Sequence, residues 1–488
     1  MASTDDVLSS AEAGGKVIRG SAIRVVAMAA AIIVGLAIAT LLLRYLGVSE
    51  SGRYVTVMSL VAIASAIADI GLNVSGSREL ALRPPAERQA LIANFLGQRM
   101  MITPVAVLLI VAFAVVAGYP TRMVTGTALA GTGLFIVTLA DAVLLRLAVE
   151  LRNAGLAFVD FFRQAVTLVG VALLVAAGAS LTPFFAVQIL VGISAVAVTP
   201  LLVGSYAFVL PRFDRSEQRS LLVKALPVSI ALVLGQVYFR LVIVLMSLIS
   251  SPKQTGYFGG SLRAMETLVS VPILVAGVAL PLLTAAARDD RERLRYAITG
   301  LSEGAVIGGV LVVLVTIRAA EPVMALIGGA AFRPAGAVLR IQVGALLFIA
   351  LYQIWGVSLV ALGRQRDLIL TNALGLVGVA VFAAALIAPF GAKGGAAASV
   401  LGDAVLASLI YWRLRAGAGR VAFRVGFLAR VAAAAAVAAL ALLLPVPDLL
   451  SAAVAGLLFL GVGQLIGMVP REVRDALGPR GLLARRGA

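Results

Sequence analysis

The sequence predicts an all-α polytopic membrane protein with about 14 transmembrane helices, arranged as two pseudo-symmetric six-helix bundles plus two C-terminal helices. Of its 488 residues, 61% are hydrophobic and 13% are charged, with a mean hydropathy of +1.07. Soluble domains have roughly 45–50% apolar and about 25% charged residues. Two further observations support this fold class: apolar stretches of membrane-spanning length recur along the chain, and basic residues alternate between the loops.

A membrane span needs about 20 mostly apolar residues, and fourteen such stretches are bounded by charges or by Pro/Gly clusters. Residues 1–15 are polar and acidic, so they do not form the basic start of a cleavable signal peptide, and the first span is expected to remain in the mature protein. The predicted spans are 21–43, 54–75, 100–118, 123–145, 155–178, 183–209, 225–250, 257–285, 298–317, 336–361, 367–390, 395–415, 426–445 and 449–469.

The basic residues predict the orientation of these spans. If the N-terminus is cytoplasmic, the cytoplasmic segments hold 27 of the 40 Lys and Arg, the opposite loops hold 8, and 5 lie within spans. This asymmetry follows the positive-inside rule and requires an even number of spans. Both termini are therefore expected in the cytoplasm, and most of the formal net charge of +17 reflects topology.

An internal repeat suggests the domain organisation. The turn at 46–54 resembles the turn at 249–257, about 204 residues later, and each opens a group of six spans. Two halves of equal orientation are typical of transporters that move two bundles around a central site. The alternative is that outer turns commonly place Gly before an aromatic interface anchor. The predicted division is an N-terminal tail 1–20, a bundle 21–209, a basic linker 210–224, a second bundle 225–415, helices 13 and 14 at 416–469, and a basic tail 470–488.

The composition argues against an enzyme. The chain has no His and no Cys, so it lacks the residues for Cys/His zinc sites, thiol nucleophiles, His bases and disulfides. The loops on the outer side are short, which leaves no soluble domain for an acid or base. We expect no catalytic residue, no metal site, no cofactor and no nucleic-acid partner.

Basic residues inside spans are costly and are candidates for a binding site. Arg24 lies near the start of the first span, where it can line a cavity or extend to the headgroups. Arg240 lies 15 residues into the seventh span, and Glu266 is expected at similar depth on the next helix, with Arg263 one turn away. One interpretation is a structural Arg240–Glu266 ion pair that leaves Arg263 near the headgroups. The other is an anion site, because guanidinium groups bind phosphate oxygens in pairs.

Carboxylates inside spans are candidates for ion coupling or for lining a cavity. Asp69 and Asp403 have no partner nearby in sequence, so either could bind a coupling proton or Na⁺, and Glu266 belongs to the arginine group above. The carboxylates of Asp141, Asp160 and Glu303 lie near cytoplasmic ends, where pairing with Arg146, Arg152, Arg163 or Arg295 is the expected role.

Several short motifs, in this order, resemble a known family. They are DIGLN at 69–73, SRELA at 77–81, LIGG at 326–329, LRI at 339–341, LGRQR at 362–366 and GAKGGAA at 391–397, with Phe332 and Asn372 between them. In order and in span number they resemble the oligosaccharide and polysaccharide flippases of the multidrug/oligosaccharidyl-lipid/polysaccharide (MOP) exporter superfamily. The resemblance covers nearly the whole chain and depends on the collinear order of the motifs.

The resemblance implies a flippase of the bacterial inner membrane that moves an undecaprenyl-diphosphate-linked oligosaccharide from the cytoplasmic to the outer leaflet by alternating access. It implies an arginine-lined cavity, to which Arg24, Arg240 and Arg263 correspond by span. The implied partners are the lipid-linked glycan and the bilayer, and a polysaccharide polymerase or glycosyltransferases remain open.

Two alternatives come from the same superfamily. The lipid II-type peptidoglycan precursor flippases also have fourteen helices and arginines in helices one and eight, so Arg24 and Arg263 are compatible with that role. Cation-coupled multidrug exporters carry a carboxylate in the first helix, and span one of this chain has none. A third alternative, a scaffold for cell-envelope enzymes that transports nothing, would tolerate loss of the cavity arginines.

Overall fold

The computed structural model describes residues 11–69, 76–150, 152–204, 208–289, 291–419, 421 and 423–468. Within these ranges the chain is helical and contains no strand. Of the predicted N-terminal tail 1–20, residues 1–10 lie outside the described part and residues 11–20 form the start of α1. The predicted C-terminal tail 470–488 lies outside the described part. The all-α polytopic fold class predicted from the sequence is confirmed.

Fourteen α-helices are present in the described part of the chain. They are α1 Ala11–Asp69, α2 Ser77–Leu82, α3 Pro85–Val116, α4 Thr121–Val149, α5 Asn153–Ala176, α6 Leu181–Val203, α7 Arg215–Ile249, α8 Pro252–Asp289, α9 Arg291–Gly328, α10 Ala335–Gln342, α11 Gly344–Ala361, α12 Gln365–Ala418, α13 Phe427–Ala441 and α14 Asp448–Leu465. A 3₁₀ turn, Ala330–Phe332, precedes α10.

Eleven of the described helical segments are long and apolar enough to cross a membrane. The helices do not correspond one to one with the predicted spans, because α1 and α12 each contain two predicted spans. α1 is broken at Gly47 (φ 68°) and α12 at Gly391 (φ 55°), a backbone conformation that glycine adopts without strain. α10 and α11 together form the tenth predicted span. The 15 residues of α13 extend only about 22 Å at 1.5 Å per residue, which is less than the membrane core.

The helices form two compact units. The first comprises the chain up to Gly47 together with Val57–Val233, and the second comprises Val48–Thr56 together with the chain from Leu234 onward. The predicted linker 210–224 thus lies in the first unit, and the division falls inside α7. The turn between the two parts of α1 belongs to the second unit.

In the first unit, α4 packs against α3, α5 and α6. Its apolar core includes Phe95, Leu91 and Leu147, which are almost fully buried. Small residues let the backbones approach closely: a Cβ on Gly133 of α4 would lie 2.3 Å from the carbonyl carbon of Gln188 on α6. Such glycine contacts are typical of helices packed inside a bilayer.

A polar contact fixes the start of α7 to α3 within the same unit. Asp214 precedes α7 and accepts hydrogen bonds from the backbone N–H of Ser216 (2.9 Å) and Glu217 (3.3 Å), as an N-cap residue does. The hydrogen bonds from Ser216 and Glu217 hold the pKa of the Asp214 carboxyl below its ordinary value. Asn94 of α3 donates to Glu217 (2.5 Å), which also accepts from Arg83 (3.0 Å).

In the second unit, α8, α9 and α12 pack around α11, and α13 and α14 pack on α9. The indole N–H of Trp355 donates to Ser302 (2.9 Å) across the α9–α11 interface. The neighbouring Glu303 is 1% exposed and accepts the backbone N–H of Arg424 (3.0 Å), which leads into α13. Glu303 therefore pairs with the segment before α13 and not with the predicted Arg295.

Candidate functional site

Two arginines of the second unit share one carboxylate, as the spacing along α7 and α8 predicted. Arg240 Nη1 lies 2.6 Å from Glu266 Oε1, and Arg263 Nη1 lies 2.9 Å from Glu266 Oε2. We call these three residues the arginine cluster. Their side chains are 16–31% exposed, so the cluster is partly buried and still accessible. The predicted Arg240–Glu266 ion pair is formed, and Arg263 also pairs with Glu266.

The cluster has a surplus positive charge. Arg263 and Glu266 are three residues apart on one face of α8, and Arg240 reaches them from α7 because the two helices are joined by a turn of few residues. Two guanidinium groups face one carboxylate, which leaves a formal charge of +1. The Nε of Arg240 is buried and has no hydrogen-bond partner within the part of the chain that the structure describes. The cluster can therefore offer donors to a further anion.

The turn in α1 packs against the turn between α7 and α8, and both belong to the second unit. The approach is backbone to backbone: a Cβ on Gly52 would lie 2.6 Å from the carbonyl oxygen of Pro252, and one on Gly256 would lie 1.9 Å from that of Val48. Gly52 and Gly256 are 204 residues apart, which is the offset of the predicted repeat. We call this the hairpin contact.

Tyr54 lies in the α1 segment that makes the hairpin contact. Its side chain is 5% exposed and is therefore buried. From the sequence, Tyr54 is expected only as an aromatic anchor in the repeat. Its burial depends on how the α1 turn packs on α8, and local sequence patterns carry no signal for such packing.

Asp403 of α12 is 5% exposed and accepts a hydrogen bond from the Tyr238 hydroxyl of α7 (2.8 Å). Both residues line a small cavity of about 40 Å³, enough for one or a few water-sized species. The remaining lining residues are mostly apolar: Phe239, Val242, Phe258, Leu262, Met265, Val269, Gln342, Ala345, Ile349, Val379 and Ser399. Asp403 was predicted as a site residue, whereas Tyr238, two residues before Arg240, was not predicted.

Asp69 has a partner 30 residues away along the chain. Arg99 of α3 donates to Asp69 Oδ1 (2.6 Å) and to the carbonyl of Ala68 (3.3 Å), and it is 3% exposed. From the sequence, Arg99 is expected among the basic residues of a cytoplasmic segment, but α3 begins at Pro85 and places it inside the helix. Asp69 is thus an ion-paired carboxylate, which weakens its case as a coupling site.

The carboxylates at the ends of α4 and α5 that are predicted to be cytoplasmic form the predicted ion pair in one case. Arg163 donates to Asp141 (2.7 Å), and Asp160 lies near the same arginine beside a cavity of about 330 Å³.

Arg24 lies in α1, but its side chain is outside the described part, so its place relative to the arginine cluster stays a prediction. Among the described residues, no group of three or more carboxylates could hold a metal ion.

Comparisons with known proteins give a fold. No protein-family model and no curated protein sequence matches the chain. Among solved structures, the lipid II flippase MurJ in an inward closed conformation matches 90% of this chain and 98% of its own, with a TM-score of 0.75 and 13% identity.

Transporters of the MOP superfamily also match. An inward-facing multidrug resistance MATE family transporter covers 79% of this chain and 94% of its own (TM-score 0.66, 14% identity). A MOP superfamily transporter from Pyrococcus furiosus covers 81% and 95% (TM-score 0.55, 14% identity). The resemblance found in the sequence motifs is therefore confirmed at the level of the fold, which this chain shares with MurJ and the MATE transporters.

Proposed function

We propose that this protein is a flippase that moves a polyprenyl-diphosphate-linked oligosaccharide from the cytoplasmic to the outer leaflet by alternating access, for cell-surface polysaccharide synthesis. The arginine cluster is the observation that carries the proposal. A surplus positive charge partly buried among apolar helices is costly, and it is typically kept where an anionic ligand binds.

A diphosphate suits the cluster chemically. Its oxygens accept hydrogen bonds from several guanidinium N–H groups at once, and each charge-assisted bond is stronger than a neutral one. Arg240 and Arg263 already present their side chains to a shared acceptor, so a diphosphate can replace or join Glu266 without rearranging the helices. The buried Nε of Arg240 supplies a donor that is not used by another described residue.

The lipid II-type precursor flippase is the second candidate, since MurJ is named for that substrate and matches this chain over 98% of its own length. Both candidates carry a diphosphate, so the cluster alone does not separate them. The multidrug exporter is the weaker candidate because Asp69, one of its two candidate coupling carboxylates, is paired with Arg99.

We further propose that Asp403 couples transport to a proton or Na⁺ gradient. A buried carboxylate that receives one hydrogen bond from a tyrosine and borders a small cavity is suited to bind and release a small cation. The lipid-linked glycan and the bilayer are the proposed partners, in the inner membrane of a bacterium.

Substituting the cluster arginines tests the proposal. Arg240→Ala and Arg263→Ala should each reduce flipping at least tenfold, because each removes a charge-assisted hydrogen bond of about 1.5–3 kcal/mol to the diphosphate. The measurement is the fraction of a fluorescent lipid-linked oligosaccharide that reaches the outer leaflet of reconstituted vesicles. Arg340→Ala is the matched control, since Arg340 pairs with Glu321 elsewhere in the same unit (2.9 Å).

Normal flipping by both cluster variants, at equal protein abundance, would reject the arginine cluster as the substrate site. Vesicles loaded with lipid II in place of the oligosaccharide separate the two flippase candidates. A drug exporter would flip neither lipid and would lower the drug sensitivity of host cells.

A further inference from the structure

A second polar cavity, of about 330 Å³, lies within the first unit and is lined mainly by α4 and α5. We call it the α4–α5 cavity. Its polar lining comprises Asp141 of α4, Asp160 and Arg163 of α5, and Ser77 at the start of α2, and the other described lining residues are apolar. The lining residues of each long helix are three or four positions apart, so one face of each helix borders the cavity.

The charged side chains of the α4–α5 cavity do not balance. Arg163 donates to Asp141 (2.7 Å), which pairs two of the three charges. The third residue, Asp160, lines the same cavity and is exposed, so its carboxylate is open to a ligand. Two carboxylates and one guanidinium leave a formal charge of −1. Such a surplus among membrane helices is costly and is typically kept where it binds a partner of opposite charge.

Arg163 supplies a donor next to this surplus carboxylate. The Nε of Arg163 is buried and has no hydrogen-bond partner in the described part of the chain. A ligand that satisfies both features has a cationic group for the carboxylates and an oxygen that accepts from Arg163. A water molecule takes up about 30 Å³ of the liquid, so the cavity has room for a molecule of several heavy atoms.

We propose that the α4–α5 cavity binds a protonated amine that carries an oxygen on the adjacent carbon. This is the chemistry of an amino sugar and also of an ethanolamine headgroup. The ammonium group donates to Asp160, and the neighbouring oxygen accepts from Arg163. The inference goes beyond the proposed function, because this site lies in the first unit and takes a cation, whereas the arginine cluster lies in the second unit and takes an anion.

Glucosamine is the first probe, and calorimetry on the full-length protein in phosphatidylglycerol nanodiscs measures its affinity below neutral pH, where its amine is protonated. N-acetylglucosamine keeps the sugar ring but has no charge, so it should bind at least tenfold more weakly. Ethanolamine should likewise bind more tightly than ethylamine, which lacks the oxygen. Undetectable glucosamine binding, or equal affinity for glucosamine and N-acetylglucosamine, overturns the inference.

Substitutions at Asp160 assign the binding to the cavity. Asp160→Asn should weaken glucosamine binding at least tenfold, equivalent to about 1.4 kcal/mol, and Asp160→Glu, which keeps the charge, should restore most of the affinity. Because Asp160 is exposed, both variants are expected to fold. Glu87→Gln is the matched control: it removes a carboxylate from the same unit, where Glu87 pairs with Arg83 (3.1 Å), and it should keep the wild-type affinity. An unchanged affinity in Asp160→Asn overturns the inference.

The nanodisc lipid identifies the source of the amine. If the natural occupant is a lipid headgroup, phosphatidylethanolamine nanodiscs should lower the apparent glucosamine affinity at least tenfold relative to phosphatidylglycerol nanodiscs. Equal affinity in both lipids supports an amino sugar instead. Neither result depends on the arginine cluster, so Arg240→Ala should bind glucosamine as the wild type does, and failure of this inference would leave the proposed function standing.

Discussion

Arginine–carboxylate pairs between helices recur in both units, and the distance between partners along the chain determines which pairs the sequence could predict. Arg240 and Glu266 lie on two helices joined by a short turn, so counting residues from the turn predicted their contact. The Asp69–Arg99 pair involves a longer connection along the chain, and its prediction required the exact start of α3. The Tyr238–Asp403 contact joins residues 165 positions apart, beyond any local pattern.

Glycine substitution tests the hairpin contact at the level of one methyl group. Gly256→Ala would place a Cβ 1.9 Å from the Val48 carbonyl oxygen, so we expect a loss of about 1–3 kcal/mol from overpacking and a lower thermal midpoint in detergent. Gly277→Ala lies on the same helix with nothing within 4 Å and should be neutral or stabilising by about 0.5–1 kcal/mol. Equal thermal midpoints for Gly256→Ala and Gly277→Ala would contradict the close backbone approach at the hairpin contact.

Among the helices, the breaks in α1 and α12 show what hydropathy alone could not predict. The sequence correctly placed turns near Gly47 and Gly391, but it did not indicate that helical hydrogen bonding resumes at once. At the α12 break the backbone N–H of Ala392 donates to the Gln254 side chain (3.0 Å), which satisfies a group that the kink would leave exposed. This cap comes from the first turn of α8, so it depends on tertiary packing.

The hydrogen bond between Tyr238 of α7 and Asp403 of α12 leads to a prediction about ion coupling. Asp403→Asn keeps a hydrogen-bond acceptor for Tyr238 but removes the negative charge, so flipping should stop responding to an imposed proton or Na⁺ gradient. Flipping rates in vesicles with and without each gradient provide the measurement. Asp448→Asn, which alters the Arg318 pair (3.3 Å) in the same unit, should keep the wild-type response. An unchanged gradient response in Asp403→Asn would remove Asp403 as the coupling site.

For the whole molecule, the charge asymmetry between loops predicts that both termini are cytoplasmic. Two exposed serines, Ser180 in the loop between α5 and α6 and Ser220 near the start of α7, provide a direct test because the chain has no Cys. We expect Ser180→Cys to react with an impermeant maleimide added outside intact cells, and Ser220→Cys to react only after permeabilisation. The opposite pattern would invert the topology, and equal labelling of both would reject the alternation of loops.

The fold class and the approximate spans were predictable because hydropathy and charge act locally along the chain. The repeat predicted two halves, but the division into compact units differs from a simple cut between them. Val48–Thr56 packs with the second unit, and α7 is shared, since its residues up to Val233 pack with the first. These features depend on which surfaces meet after the helices assemble.

The hairpin contact has a consequence for synthesis of the protein. Gly52 emerges from the ribosome 204 residues before Gly256, so at about 5–20 residues per second it waits about 10–40 s for its partner. During that interval the Val48–Thr56 turn has no surface of the second unit on which to pack. Slowing or accelerating translation between the two turns should therefore change the yield of correctly assembled protein without altering a single residue.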